Sequence, residues 1–178
     1  MPALVHTSVP GWALPDGSPG QGRTPVETAG ASYLLVAVGP PAALVVGMWA
    51  AELTDTPEVR IVEADDTHTA MEGLAAALAE ARVGVRVRLA GPTGACLALR
   101  GTATQAGVED DELYVAPTSP GPVELFCVHC RAVTATDAGI GEVVPCTACD
   151  RSLSIYYHVS RRSGRFLGYM VDAEEAGA

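Results

Sequence analysis

Cys127-Val128-His129-Cys130, followed by Cys146-Thr147-Ala148-Cys149, is the stretch on which the reading of this chain turns. Two Cys-x-x-Cys pairs with 15 residues between them have the ligand spacing of a four-cysteine metal site. Each pair makes a tight turn that aims two sulfurs at one point, and an intervening hairpin sets the second turn opposite the first. Four thiolates can then surround one ion tetrahedrally. A ribbon of this size has little core of its own, so the metal is expected to supply much of its folding free energy. Cys127, Cys130, Cys146 and Cys149 are the expected ligands of a structural Zn2+. Iron in the same cage is the alternative and would make the ribbon a rubredoxin-like electron carrier. His129 sits inside the first turn, where four cysteines already complete the shell.

Working outward, strand-like segments flank the cysteines at Val123 to Phe126, Ile140 to Val144 and Leu153 to Val159. Together they define a zinc-ribbon domain over 123–172, with Asp172 to Ala178 as an acidic tail. His158, Arg161, Arg162 and Arg165 form a cationic cluster on an acidic chain, which suits an acidic partner surface. Pairing of these arginines with the protein's own carboxylates is the competing reading.

Upstream, residues 31–118 alternate between apolar runs and helical patterns. Tyr33 to Val38 reads as a strand buried on both faces. Ala42 to Leu53 reads as a helix, and Val59 to Val62 as a second strand. A helix from Thr69 to Arg82 has Thr69 and Glu72 as a capping box. Val85 to Leu89 and Glu112 to Val115 are two further strands, with a turn at 91–94 and a helix to about Gln105 between them. Strands alternating with helices predict a small, mostly parallel α/β sheet of Rossmann-like type. Residues 1–30, broken by prolines and glycines, read as a flexible arm in which Trp12 and Leu14 offer a docking anchor. Pro117, Pro120, Gly121 and Pro122 form the linker to the ribbon.

At 178 residues with 48% hydrophobic content the chain can bury one medium core or two small ones. A net charge of −10 argues against nucleic-acid binding. All 11 basic residues are arginine, which excludes Schiff-base chemistry on lysine. No apolar run is long enough to span a membrane. The absence of a signal-peptide pattern and the metal-type spacing of the cysteines point to the cytoplasm. Cys96, near a helix start, is either a thiol of lowered pKa or a small core residue. No catalytic constellation is apparent.

Two resemblances add to this reading. The strand, Gly39-Pro40-Pro41 turn and helix, with Ala90-Gly91-Pro92 after the third strand, resembles the nicotinamide-binding half of ferredoxin-reductase-type proteins. That likeness implies a degenerate dinucleotide-fold domain, with Gly39, Gly91 and Pro92 as weak cofactor-binding positions. Pro40 and Pro41 remove two amide donors that a pyrophosphate would use.

The second resemblance covers about 50 residues. Phe126-Cys127-Val128-His129-Cys130, Cys146-Thr147-Ala148-Cys149, His158-Val159-Ser160-Arg161-Arg162 and Gly168-Tyr169 resemble one of the subunit families of dimethylamine monooxygenase. That likeness implies a hetero-oligomeric enzyme that oxidatively N-demethylates a secondary amine with O2 and NADPH. Haem, flavin and iron–sulfur cofactors are then expected on the partner oxygenase and reductase subunits, and this chain as a non-catalytic docking component. An NADPH site retained on the α/β half is the remaining alternative. Asp150, where such ribbons usually have glycine, is expected to adopt positive φ at modest cost.

Overall fold

The computed structural model describes residues 7–14, 29–55 and 58–171. Strands β1 (Ser32–Val38), β2 (Val59–Ala64), β3 (Val85–Pro92) and β4 (Leu113–Ser119) form one sheet of order β2-β1-β3-β4. Every pairing in it is parallel. Helices α1 (Pro40–Glu52), α2 (Thr67–Glu80) and α3 (Thr93–Gln105) connect the strands.

The continuous apolar run of β1 has the reason expected of it, since it is central and covered on both faces. Leu34, Val36 and Val38 pack with Ala70, Leu74 and Ala77 of α2 and with Ala95, Cys96 and Leu99 of α3. Tyr33, Leu35 and Ala37 pack on the other face against Ala42, Val46 and Trp49 of α1. Two helices thus cover one face and a single helix the other.

Two local expectations change. The first turn of α2 is capped by Asp66, whose carboxylate accepts from the Thr69 amide at 2.9 Å and the Thr69 hydroxyl at 2.7 Å. Thr69 therefore lies inside the helix and forms no capping box. The Thr69 amide and hydroxyl hold the Asp66 carboxyl below its ordinary range. The turn expected at 91–94 is instead the end of β3 running straight into α3, with a register shift between Gly91 and Pro92.

The ribbon is a second, five-stranded sheet of order β6-β5-β9-β8-β7. Its strands are β5 (Val123–Cys127), β6 (Val133–Thr136), β7 (Val143–Pro145), β8 (Ser152–Val159) and β9 (Phe166–Met170). The fold class is therefore the expected one, a small parallel α/β sheet followed by a β ribbon carrying a cysteine quartet. Strands β6 and β9 have no counterpart in the sequence reading.

Helix α3 joins the two sheets. Its Leu97 belongs to the ribbon core with Leu125, Leu153, Ile155 and Phe166, while Leu99 and Ala103 face the α/β core. The helix is built almost wholly of small residues, so chain can lie directly on its backbone. A Cβ on Gly94 would sit 1.8 Å from the Pro122 carbonyl oxygen, and one on Gly101 3.0 Å from that of Arg162. Gln105 Nε2 donates to the same Arg162 oxygen at 2.7 Å.

Residues 7–14 depart from the flexible arm expected over 1–30. The Thr7 hydroxyl donates to the Tyr157 carbonyl at 2.7 Å, and the Val159 amide donates to the Ser8 hydroxyl at 2.9 Å. Val9 is buried in the ribbon core, and Trp12 packs against both the ribbon and the α/β core. An apolar Val-Pro-Gly-Trp segment gains more from covering that seam than from solvent. The other residues of the expected arm, 1–6 and 15–28, and the acidic tail from 172 lie outside the described residues.

Candidate metal centre

Cys127 closes β5 and Cys146 follows β7, so two strand ends deliver the two turns. The turns repeat one hydrogen-bond pattern. The Cys127 amide donates to the Ala132 carbonyl and the Cys146 amide to that of Arg151, both at 2.9 Å. In return, the Arg131 amide donates to the Cys127 carbonyl at 2.9 Å and the Asp150 amide to that of Cys146 at 3.0 Å. The residue after each second cysteine takes positive φ, 66° at Arg131 and 57° at Asp150. Asp150 thus behaves as expected; Arg131 makes the same turn with a bulkier side chain.

All four sulfurs lie within 4.8 Å of one another. Cys127 Sγ is 3.8 Å from Cys149 Sγ, and Cys130 Sγ is 3.6 Å from Cys146 Sγ. A tetrahedron of sulfurs at the ordinary zinc–thiolate length of about 2.3 Å has edges of about 3.8 Å. Those separations fit a four-coordinate ion and are far beyond a disulfide bond of about 2.05 Å. The donor set therefore fits Zn2+ or iron, and it leaves no coordination position open for a substrate. His129 stands exposed at the turn, outside the quartet.

Backbone amides tune the thiols. Ala148 and Cys149 donate to the Cys146 sulfur and bring that thiol down to about 6. The Ala132 amide lowers Cys130, but desolvation and the crowding of the other three sulfurs outweigh it and push that thiol up to about 12. Cys149 is lowered by the Arg151 amide, yet desolvation and the Cys146 and Cys127 sulfurs carry the net shift upward. At pH 7 the metal-free quartet thus holds Cys146 largely as thiolate, with Cys130 and Cys149 protonated. Zinc needs every sulfur deprotonated, so binding at pH 7 is expected to release two or more protons, and affinity is expected to rise with pH. Calorimetry in buffers of different ionisation enthalpy measures that number; release of fewer than one proton would contradict it.

The surroundings of the quartet include a contact absent from the sequence reading. Thr134, buried on β6, accepts from the Thr147 amide through its hydroxyl at 3.2 Å. The two hydroxyls also lie 3.2 Å apart, so β6 is tied to the second turn. The only sequence signal for this was a threonine at an inward position of a strand too short to be recognised.

The cationic cluster is largely engaged within the chain. Arg161 lies 3.4 Å from Glu109 and 3.2 Å from Asp110, and Arg165 lies 2.7 Å from Glu124. His158 Nδ1 is 3.2 Å from the Ser8 hydroxyl. Arg162 is exposed and forms no ion pair among the described residues. Arg161 therefore clamps the ribbon to the loop after α3, and the reading in which arginines meet the protein's own carboxylates holds there and at Arg165.

Gly39 and Gly91 do lie at the ends of the adjacent strands β1 and β3, where the winding reverses. The helix start beside them offers little to a phosphate. Pro40 and Pro41 have no amide hydrogen, and the Ala42 and Ala43 amides donate to the Gly39 carbonyl at 3.1 and 3.2 Å. A Cβ on Gly91 would lie 3.0 Å from Val38 Cβ, and one on Gly121 2.7 Å from Pro92 Cβ, so the strand ends are tightly packed. Cys96 is fully buried and its thiol points to the Gly91 carbonyl at 3.4 Å. Burial pushes that thiol up to about 12, so it is a core residue and no activated nucleophile.

Residues 124–169, which span the quartet, match the family described as dimethylamine monooxygenase subunit DmmA-like, C-terminal domain. The ribbon belongs to the DmmA-like family. The chain is also similar to the heme-dependent oxidative N-demethylase delta subunit of Ectopseudomonas mendocina (strain ymp), at 36% identity over 103 residues. That match covers 57% of this chain and 57% of the relative. No solved structure matches the chain. Among the described residues of this DmmA-like protein, no helix is long and apolar enough to cross a membrane.

Proposed function

We propose that this chain is a non-catalytic docking subunit of a multi-component, cytoplasmic oxidative N-demethylase acting on a secondary amine of the dimethylamine type. One observation carries the non-catalytic part: a four-sulfur shell with edges of 3.6 and 3.8 Å is closed. A structural zinc there has neither redox chemistry nor a free position for substrate or O2. The DmmA-like match and the similarity to a delta subunit support membership of such a complex. Haem, flavin and iron–sulfur groups belong on this reading to the oxygenase and reductase partners, and the α/β sheet serves as a shell without a nucleotide.

Reconstitution tests it. The purified chain alone should oxidise no secondary amine, whereas adding it to the oxygenase and reductase subunits of its host should restore NADPH-dependent formaldehyde release. Demethylase turnover by the chain alone would refute the proposal, as would full turnover without it. The same preparation should be colourless; a red protein undergoing reversible one-electron reduction would favour iron and the electron-carrier reading.

A further inference from the structure

Helix α1 is apolar on every side. Ala42, Val46 and Trp49 face the sheet and are buried. Leu44, Gly47, Met48 and Ala51 form the opposite arc at helical spacing and are all exposed. Leu44 is 74% and Met48 58% exposed. An amphipathic helix on a soluble surface would carry polar residues on that arc, and a helix apolar all round is normally buried. Its sheet face is also thinly covered, by one helix where the other face has two. Ile61 of β2, in register with Leu35 and so on the α1 face, is 46% exposed. Parallel sheets are ordinarily covered on both faces.

The rim of this surface carries one sign of charge. Between Pro40 and Val59 the chain has Glu52, Asp55 and Glu58 and no basic residue. Glu63 is in register with Ala37, so it lies on the same face as Ile61, two residues away, and is exposed. A second copy of this chain would bring like charges together around the apolar centre, and the chain as a whole carries −10.

We infer that the outer arc of α1, with Ile61 beside it, docks a different protein that presents an apolar stripe flanked by Arg or Lys. Apolar contact at the centre supplies the affinity, and opposite charge at the rim sets orientation and excludes self-pairing. The inference rests on the docking-subunit reading and gives it a surface away from the metal quartet. Gly47 sits at the middle of the arc, where an added Cβ would meet nothing within 4 Å. A partner side chain can therefore approach the helix backbone there.

The experiment measures binding of the zinc-loaded full chain to the purified oxygenase and reductase subunits of its host, one at a time, by calorimetry. The Leu44→Lys/Met48→Lys double variant should bind the engaged subunit at least about 50-fold more weakly than wild type, since truncated or charge-reversed interface centres cost this much. Its melting temperature and zinc content should be unchanged. Gly47→Arg, which has room in the free chain, should weaken binding in the same way, and Glu63→Lys should do so less strongly. Raising salt should weaken wild-type binding. Wild-type binding that the double variant leaves intact would overturn this inference while sparing the docking role. Wild-type failure to bind any subunit would end both. A lowered melting temperature in the free double variant would show a cover supplied by the same chain, and a wild-type dimer dissolved by these substitutions would show a second copy; each overturns the inference.

Discussion

Serine replacement of Cys127, Cys130, Cys146 and Cys149 together is expected to unfold the ribbon while leaving the parallel sheet partly folded at a much lower melting temperature. Structural zinc in small domains contributes roughly 10–16 kcal/mol of apparent binding free energy at neutral pH. Whole domains are stable by only about 5–15 kcal/mol, so no repacking of the ribbon can offset that loss. The ribbon core depends on the quartet directly, because Cys127 and Cys146 are themselves buried among Leu125, Leu153 and Ile155. The damage should reach α3, whose Leu97 then loses its cover. Amide hydrogen exchange should show protection lost from β5 through β9 and reduced in α3, while β1 and β3 stay protected. Chelation of the metal should reproduce the pattern. Unchanged protection across the ribbon would contradict the expectation.

Gly164→Ala should have the next largest effect, and its cause is a close approach of backbones. Gly164 has φ of +69°, and a Cβ there would lie 2.2 Å from the Leu97 carbonyl oxygen and 2.5 Å from its carbon. Neither atom can move aside without distorting α3. The positive φ costs on the order of 1 kcal/mol for a residue with a side chain, and forcing apart a packed interface adds roughly 1–3 kcal/mol. We expect a loss of about 3 kcal/mol in urea unfolding and a melting temperature lower by about 10 °C. Gly107→Ala is the control. Gly107 has φ of +94° with nothing within 4 Å of an added Cβ, so only the conformational cost applies. Equal destabilisation by the two substitutions would show that the contact with α3 contributes nothing.

Parts of this architecture were legible because they depend on local chemistry. Cys-x-x-Cys spacing dictates the turns whatever the surroundings, and the repeated pattern at Cys127 and Cys146 is what that spacing requires. The run from Tyr33 to Val38 could be read as a central strand because burial on both faces removes alternation. What remained illegible depends on contacts distant in sequence. Strands β6 and β9 are four and five residues long and gain their identity from pairing with β5 and β8. Thr7 and Ser8 bond to β8 about 150 positions away, which no local pattern encodes. The role of α3 was also hidden. Its alanines and glycines look like a weak helix until two sheets are placed on either side of it, and then small side chains are what such a position requires. Arg161 likewise looked available to a partner until Glu109 and Asp110 were brought beside it.

The most direct measurement of the central idea is native mass spectrometry of the freshly purified chain, paired with metal analysis. One zinc per chain is predicted, lost together with the ribbon's hydrogen-exchange protection on acidification or chelation. A metal-free chain with an intact, protected ribbon, or a mass lowered by two disulfide bonds among the four cysteines, would contradict the account.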